Sequence, residues 1–292
     1  MPDTVSEVSF PTLPPDTTVG PVELTVSDLE RSQVYYEQVV GLRVLEHGGS
    51  RMSLGTDGTE LLVLVKEPGA RPAVGHTGLF HFALLVPDRP SLARWLAHAG
   101  RDSVPLTGLS DHFVSEAIYL SDPDRHGIEI YADRPRQVWE GQVEGGLTTL
   151  PLDVDALLAE LQDPALEPFE GLPAGTAMGH VHLRVATIPE TVEFYRDLLG
   201  FDLMATYGSQ AAFLAAGGYH HHIGANSWES SGAPPPPPGT AALRQATVVL
   251  PDAAERDRVA GRVADAGQEP EPGPDGVAIH DPSGNRLLLT AR

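Results

Sequence analysis

Four times along the chain, an alternating apolar stretch gives way to a short polar link and then to apolar residues at three- and four-residue spacing. The first copy reads GPVELTV, SDLERSQVYYEQVVGL, then RVLEHG, RMSLGT and TELLVLVKE, and the second FHFALLV, RPSLARWLAHAG, then EAIYLSD and GIEIYAD. The third is GHVHLRV, IPETVEFYRDLLGF, DLMATYG, AAFLAAG and YHHHIGA, and the fourth RQATVVL, PDAAERDRVAGRVADAG, GVAIHD and NRLLLTA. Alternation predicts half-buried strands, and the 3.6-residue period predicts one amphipathic helix per copy. Val34, Tyr35 and Val39 in the first helix, and Val192, Tyr195 and Leu199 in the third, are expected to face the sheet. DPDRHG and DPSGNR predict turns, because Pro presets φ and Gly or Asn tolerates a positive φ. A repeat of about fifty residues implies units that cannot bury their sheet face alone. The expected fold class is α+β, with four βαβββ modules.

The pattern sets the boundaries. Residues 1–18, rich in Pro and Thr, predict an N-terminal arm; 19–133 hold modules one and two; 134–178 form a linker; 179–292 hold modules three and four. Within the linker, DVDALLAELQ (153–162) predicts a short helix, and PPPPPG (234–239) predicts a stiff extended loop.

Composition narrows the chemistry. The 292-residue chain contains no cysteine, which excludes disulfides, thiolate metal sites and cysteine nucleophiles, so any metal must be held by His, Asp or Glu. A net charge of −21 argues against nucleic acid or an anionic membrane as partner. The start MPDTVSEVSF lacks the pattern of a signal peptide, and no apolar run is long enough to span a bilayer, so a cytoplasmic protein is expected. No GxSxG stands in a strand–turn–helix setting, and GGYHHH and GPDGVA lack the context of a phosphate loop.

One pair of residues breaks the apolar pattern. His81 opens an apolar strand, and Glu129 sits in a strand otherwise built of Ile and Tyr. A lone buried carboxylate costs on the order of several kcal/mol unless a cation or donors satisfy it. A metal ion shared by His81, Glu129 and a histidine from elsewhere is the economical explanation.

The four copies, the helices SDLERSQVYYEQVVGL and TIPETVEFYRDLLGF, and the closing turns together resemble the vicinal oxygen chelate superfamily. This group includes glyoxalase I, bleomycin-resistance proteins and extradiol dioxygenases. SDHFVSEAIYLSDPDRHGIEIYADRP and GYHHHIGANSW are most similar to the four-module catechol 2,3-dioxygenase branch. The resemblance implies two half-barrel domains and metal ligands on the first and last strands of modules. Counting back six residues from Pro87 reaches His81, and from Ala186 reaches His180, whereas the same count from Ser27 and Pro251 reaches Pro21 and Gln245. Modules one and four, with Leu288 at the acid's place, have lost the site. His81, Glu129 and His180 then form one triad if module two pairs with three, and one with four.

By the same resemblance Tyr119 holds a catecholate oxygen, His112 adds a polar group nearby, and His221 acts as acid–base. Strand alternation in YHHHIGA would put His220 and His222 on the face opposite His221. His182 shares the face of His180, while Asn226 and Trp228 either line the pocket or close a turn. His47, His76, His98, His126 and His280 are expected in turns or on helix surfaces, without chemistry. The implied activity is Fe(II)-dependent extradiol cleavage of an aromatic diol by dioxygen, with Mn(II) as a substitute and a homo-oligomer allowed. Two rivals remain open at this point. One is a glyoxalase-like isomerase or lyase with His221 as fourth ligand to Ni(II) or Zn(II); the other is a metal-free binding protein of the bleomycin-resistance kind.

Overall fold

The computed structural model describes residues 11–292, so the first part of the expected arm lies outside the described residues. The next residues are packed rather than free: Leu13 is buried, and its N–H donates to the Gly200 carbonyl at 2.7 Å.

Two large mixed sheets carry the molecule. In one, of eight strands, the opening strand of module one, Thr18–Val26, runs antiparallel to that of module four, Leu243–Leu250, with Glu23 opposite Gln245. In the other, of nine strands, Gly78–Leu85 of module two runs antiparallel to Ala177–Arg184 of module three, with Val181 opposite Phe82. Each opening strand is flanked on its other side by the parallel last strand of its own module: Thr59–Lys66, Gly127–Asp133, Ile223–Asn226 and Arg286–Ala291. Alternation does the sorting. Phe82, Leu84, Val181 and Leu183 are fully buried in one apolar core that draws on all four modules, while His81, Ala83 and His180 point to the opposite, concave face.

The first and third helices end in π-helical turns, Tyr36–Val40 and Glu193–Leu199, closed by left-handed Gly41 and Gly200 at φ 92° and 97°. The buried stripe Leu29, Ser32, Tyr36 and Val40 keeps three- and four-residue spacing, and Val34, in the α-helical turn before Tyr36, falls on the other face and is 52% exposed. The expected sheet-facing role of Val34 is therefore corrected, although Tyr195 and Leu199 are buried. The π turns carry a repeated contact. Tyr36 donates its hydroxyl to Asp122 at 3.0 Å, and Tyr195 donates to Asp281 at 3.2 Å. Each aspartate, in DPDRHG or DPSGNR, also accepts two backbone N–H bonds from its own turn. His98 and His126, expected at the surface, are buried in structural roles: one stacks on Phe169, the other bonds the Thr25 carbonyl.

The linker forms helices Arg136–Trp139, Val143–Gly146 and Val154–Leu158, the last capped by Asp153 and shorter than the expected 153–162. Trp139 and Val143 join Phe113, Leu147, Met204, Phe213 and Tyr219 in a separate apolar cluster beside the concave face of the nine-stranded sheet.

Candidate metal centre

His81, Glu129 and His180 bring three donor atoms to one point. Glu129 Oε2 lies 3.0 Å from His81 Nε2 and 3.0 Å from His180 Nε2, and the two nitrogens are 3.3 Å apart. All three residues are buried. The sheet register explains this meeting: Ala83 pairs with Glu129 on one side and with His180 on the other, and His81 lies one pleat away. Gly179 makes room, since a Cβ there would stand 1.8 Å from the Tyr131 hydroxyl oxygen.

The donor set fits a metal ion. Ligands about 2.1 Å from one ion and near right angles to each other are ~3.0 Å apart, which is the spacing seen here. Two imidazoles and a carboxylate on one face suit a divalent first-row metal with open positions. Protonation states agree with this. Burial raises the Glu129 pKa, but His180 and His81 more than offset that and hold it well below the usual range. Burial lowers that of His180 against the pull of Glu129. At neutral pH the site therefore presents an ionised acid beside a neutral imidazole, the form that ligates.

These residues line a cavity of about 510 Å³. Tyr119, directly across the strand pair from Glu129, also lines it and bonds His112 Nε2 at 2.7 Å. His112 Nδ1 lies 2.7 Å from the Thr148 carbonyl, which only accepts, so Nδ1 carries the hydrogen and Nε2 of the neutral ring accepts from Tyr119. Burial, then Glu129, raises the Tyr119 pKa well above its ordinary value, keeping it a phenol. His182 lines the cavity with a buried, unpartnered Nε2, its ring 4.9 Å from that of His81. Trp228 lines it too, its ring 5.4 Å from that of Phe80, whereas Asn226 is fully buried in the last strand and accepts from the Trp228 N–H.

The HHH run departs from the expected alternation. The strand covers only Ile223–Asn226; the histidines precede it in an irregular segment entered through Gly217 and Gly218, both at positive φ. His220 consequently lies beside His221, with their Nδ1 atoms 2.8 Å apart. His222 turns away and accepts the Ala216 N–H at 3.1 Å. His221 lines the cavity, its ring 4.1 Å from that of His180, and burial followed by the surrounding imidazoles holds its pKa well below 6.5. It is not one of the three converging donors.

Reading the sequence misses several contributors. Leu147, Thr148 and Thr149 of the linker line the cavity, and nothing in that Gly- and Thr-rich stretch signals it. Asp133 closes the segment GIEIYAD and Tyr219 opens YHHHIGA with nothing in the sequence to mark either, yet both bond within the HHH environment.

Residues 18–130 and 177–289 match the family model described as the Glyoxalase/Bleomycin resistance protein/Dioxygenase superfamily, and the chain belongs to that superfamily. Over 273 residues it is 44% identical to the Catechol-2,3-dioxygenase of Bacillus subtilis (strain 168), covering 91% of this chain and 94% of that one. Its fold is similar to that of a protein described as a dioxygenase from Bacillus subtilis subsp. subtilis str. 168. That match has a TM-score of 0.64 at 14% identity over 97% of this chain and 86% of the other. The fold is also similar to glyoxalase I from Zea mays, with a TM-score of 0.58 at 15% identity over 94% and 92%. Among the described residues no helix is long and apolar enough to cross a membrane.

Proposed function

We propose that this protein is an extradiol dioxygenase that opens the ring of a catechol-like diol, with non-haem Fe(II) held by His81, Glu129 and His180. The observation that carries the reading is the convergence of those three donors on a cavity large enough for an aromatic ring. The relative that is 44% identical, named for catechol 2,3-dioxygenation, supports the same reaction. A ferrous ion at such a site supplies chelation of both diol oxygens and activation of dioxygen at its open positions.

The chain's own residues do the rest. Phe80, Phe213, Leu147 and Trp228 form apolar walls for the ring and keep bulk water from it. Tyr119, kept as a phenol, has a hydrogen to give a diol oxygen once it turns from His112. His221, kept neutral, has a nitrogen to take the proton that a diol hydroxyl loses on binding. That His221 is not among the three converging donors favours this reading over a four-ligand isomerase of the Ni(II) or Zn(II) type.

The test is anaerobic loading with Fe(II) followed by an oxygen electrode. One dioxygen consumed per catechol is expected, and His180→Ala is expected to abolish uptake. An iron-replete protein that consumes no oxygen with catechol or its alkyl and carboxyl derivatives overturns the proposal.

A further inference from the structure

We infer that Asp133 and His220 are positioning residues that fix the tautomer of His221, so that a lone pair on Nε2, not a hydrogen, meets the substrate. The chemistry rests on the dioxygenase reading; the tautomer rests on hydrogen-bond directions alone. A carboxylate only accepts, and Asp133 Oδ1 lies 2.9 Å from His220 Nε2, so that nitrogen carries its hydrogen. Asp133 Oδ2 accepts from the Tyr219 hydroxyl at 3.0 Å, which holds the carboxylate in place. Neutral His220 then has its lone pair on Nδ1, 2.8 Å from His221 Nδ1. The shared hydrogen must belong to His221. Its Nε2 is left with a lone pair, and among the described residues no protein group bonds it, although the ring lines the cavity.

The surroundings make this arrangement stiff. His220 is fully buried against the rings of Tyr219, Trp139 and Tyr131, at centroid distances of 4.0, 5.6 and 6.2 Å. The same chain gives the proton somewhere to go. When a diol O–H bond breaks, its proton forms a bond to His221 Nε2, and the His221 Nδ1–H bond breaks as that hydrogen passes to His220 Nδ1. The positive charge then rests on His220, against the Asp133 carboxylate. Among the described residues His221 itself has no carboxylate beside it; its ring stands 4.1 Å from that of His180. Returning the proton reverses both transfers and leaves the relay as it began.

The experiment is nitrogen-15 NMR of histidine-labelled, metal-free protein, with the His221 signals assigned by their loss in His221→Gln. Wild type is expected to show His221 Nδ1 protonated and Nε2 bare. In Asp133→Asn the amide oxygen keeps the Tyr219 bond and its NH2 turns to His220. Every hydrogen in the chain then reverses, and His221 Nε2 becomes protonated. A related change in the serine protease triad lowers kcat about 10⁴-fold through the wrong tautomer. Here a fall in kcat of at least ~100-fold is expected, with iron content retained. A protonated Nε2 in wild type overturns the inference, and needs no variant to detect. So does an Asp133→Asn protein whose His221 tautomer matches wild type. If the tautomers behave as expected while wild-type protein cleaves no diol, the dioxygenase reading falls and the relay stands.

Discussion

The same module, used four times, builds two sheets of opposite character. On the nine-stranded sheet the concave face gathers two imidazoles around a carboxylate whose side chain is 3% exposed. On the eight-stranded sheet the corresponding opening strands carry Glu23 and Gln245. Glu23 there pairs with Arg51 and Arg244, whose side chains are 55% and 44% exposed, and Arg286 bonds Gln245 and reaches Glu271. One face concentrates imidazole nitrogens away from water, and the other spreads full charges into it. Fold alone therefore does not make the centre; two histidines at one strand phase and one inward acid do.

Removing the acid from each sheet gives the widest contrast. Glu129→Gln is expected to weaken Fe(II) or Mn(II) binding by more than ~100-fold, beyond the range for outer partners of a ligand. Glu23→Gln is expected to leave metal titrations unchanged and to cost at most about 1 kcal/mol, as for exposed pairs. Equal metal affinities in the two variants would break the comparison.

Acid sensitivity should belong to the nine-stranded sheet. Burial, followed by His220 and His180, lowers the His222 pKa to about 3. A histidine depressed in the folded state gives stability that is full above about 6.5 and lost as pH falls toward its folded value. Between pH 7 and 4.5 the wild type should lose about 3 kcal/mol more than His222→Gln, which keeps an acceptor for the Ala216 N–H. Urea denaturation at the two pH values measures this, and parallel losses would refute it.

A subtler change tests the close approach. Gly179→Ala sets a methyl against the Tyr131 hydroxyl and pushes on the neighbouring His180, so metal affinity should fall about 10- to 100-fold. Calorimetry with Mn(II) reads it, and an unchanged affinity would show that the sheet yields there. On the apolar side, Tyr36→Phe and Tyr195→Phe each remove one donor to a buried aspartate. Each should cost about 1 to 2 kcal/mol by urea unfolding, and nearly equally, because the two contacts are copies of one another.

The four modules were legible because strand alternation and helix period repeat in the same order each time, and the α+β duplicated architecture follows from that. The phase count that singled out His81 and His180 works because a strand has a strict period of two and the helix link fixes its origin. Where a regular period stops, so does the reading. In the first helix the buried stripe runs through the polar Ser32, so apolar pattern alone put Val34 on the wrong face. The Gly217–Gly218 entry took His220 to His222 out of the strand, so alternation misplaced His220. Asp133 and Thr148 reach the site only through tertiary contacts with residues far along the chain, and local sequence carries no trace of those.

The nesting of the two sheets also orders events during synthesis. Every strand of the nine-stranded sheet lies between residues 78 and 226, so the scaffold of the candidate metal centre is fully translated before the last module leaves the ribosome. The strand Thr18–Val26, which emerges before that sheet, must wait for Leu243–Leu250 to cover its open edge. A nascent chain halted before that point would hold a finished cup beside an unprotected strand, so module four serves this fold by covering an edge that would otherwise be open to other chains.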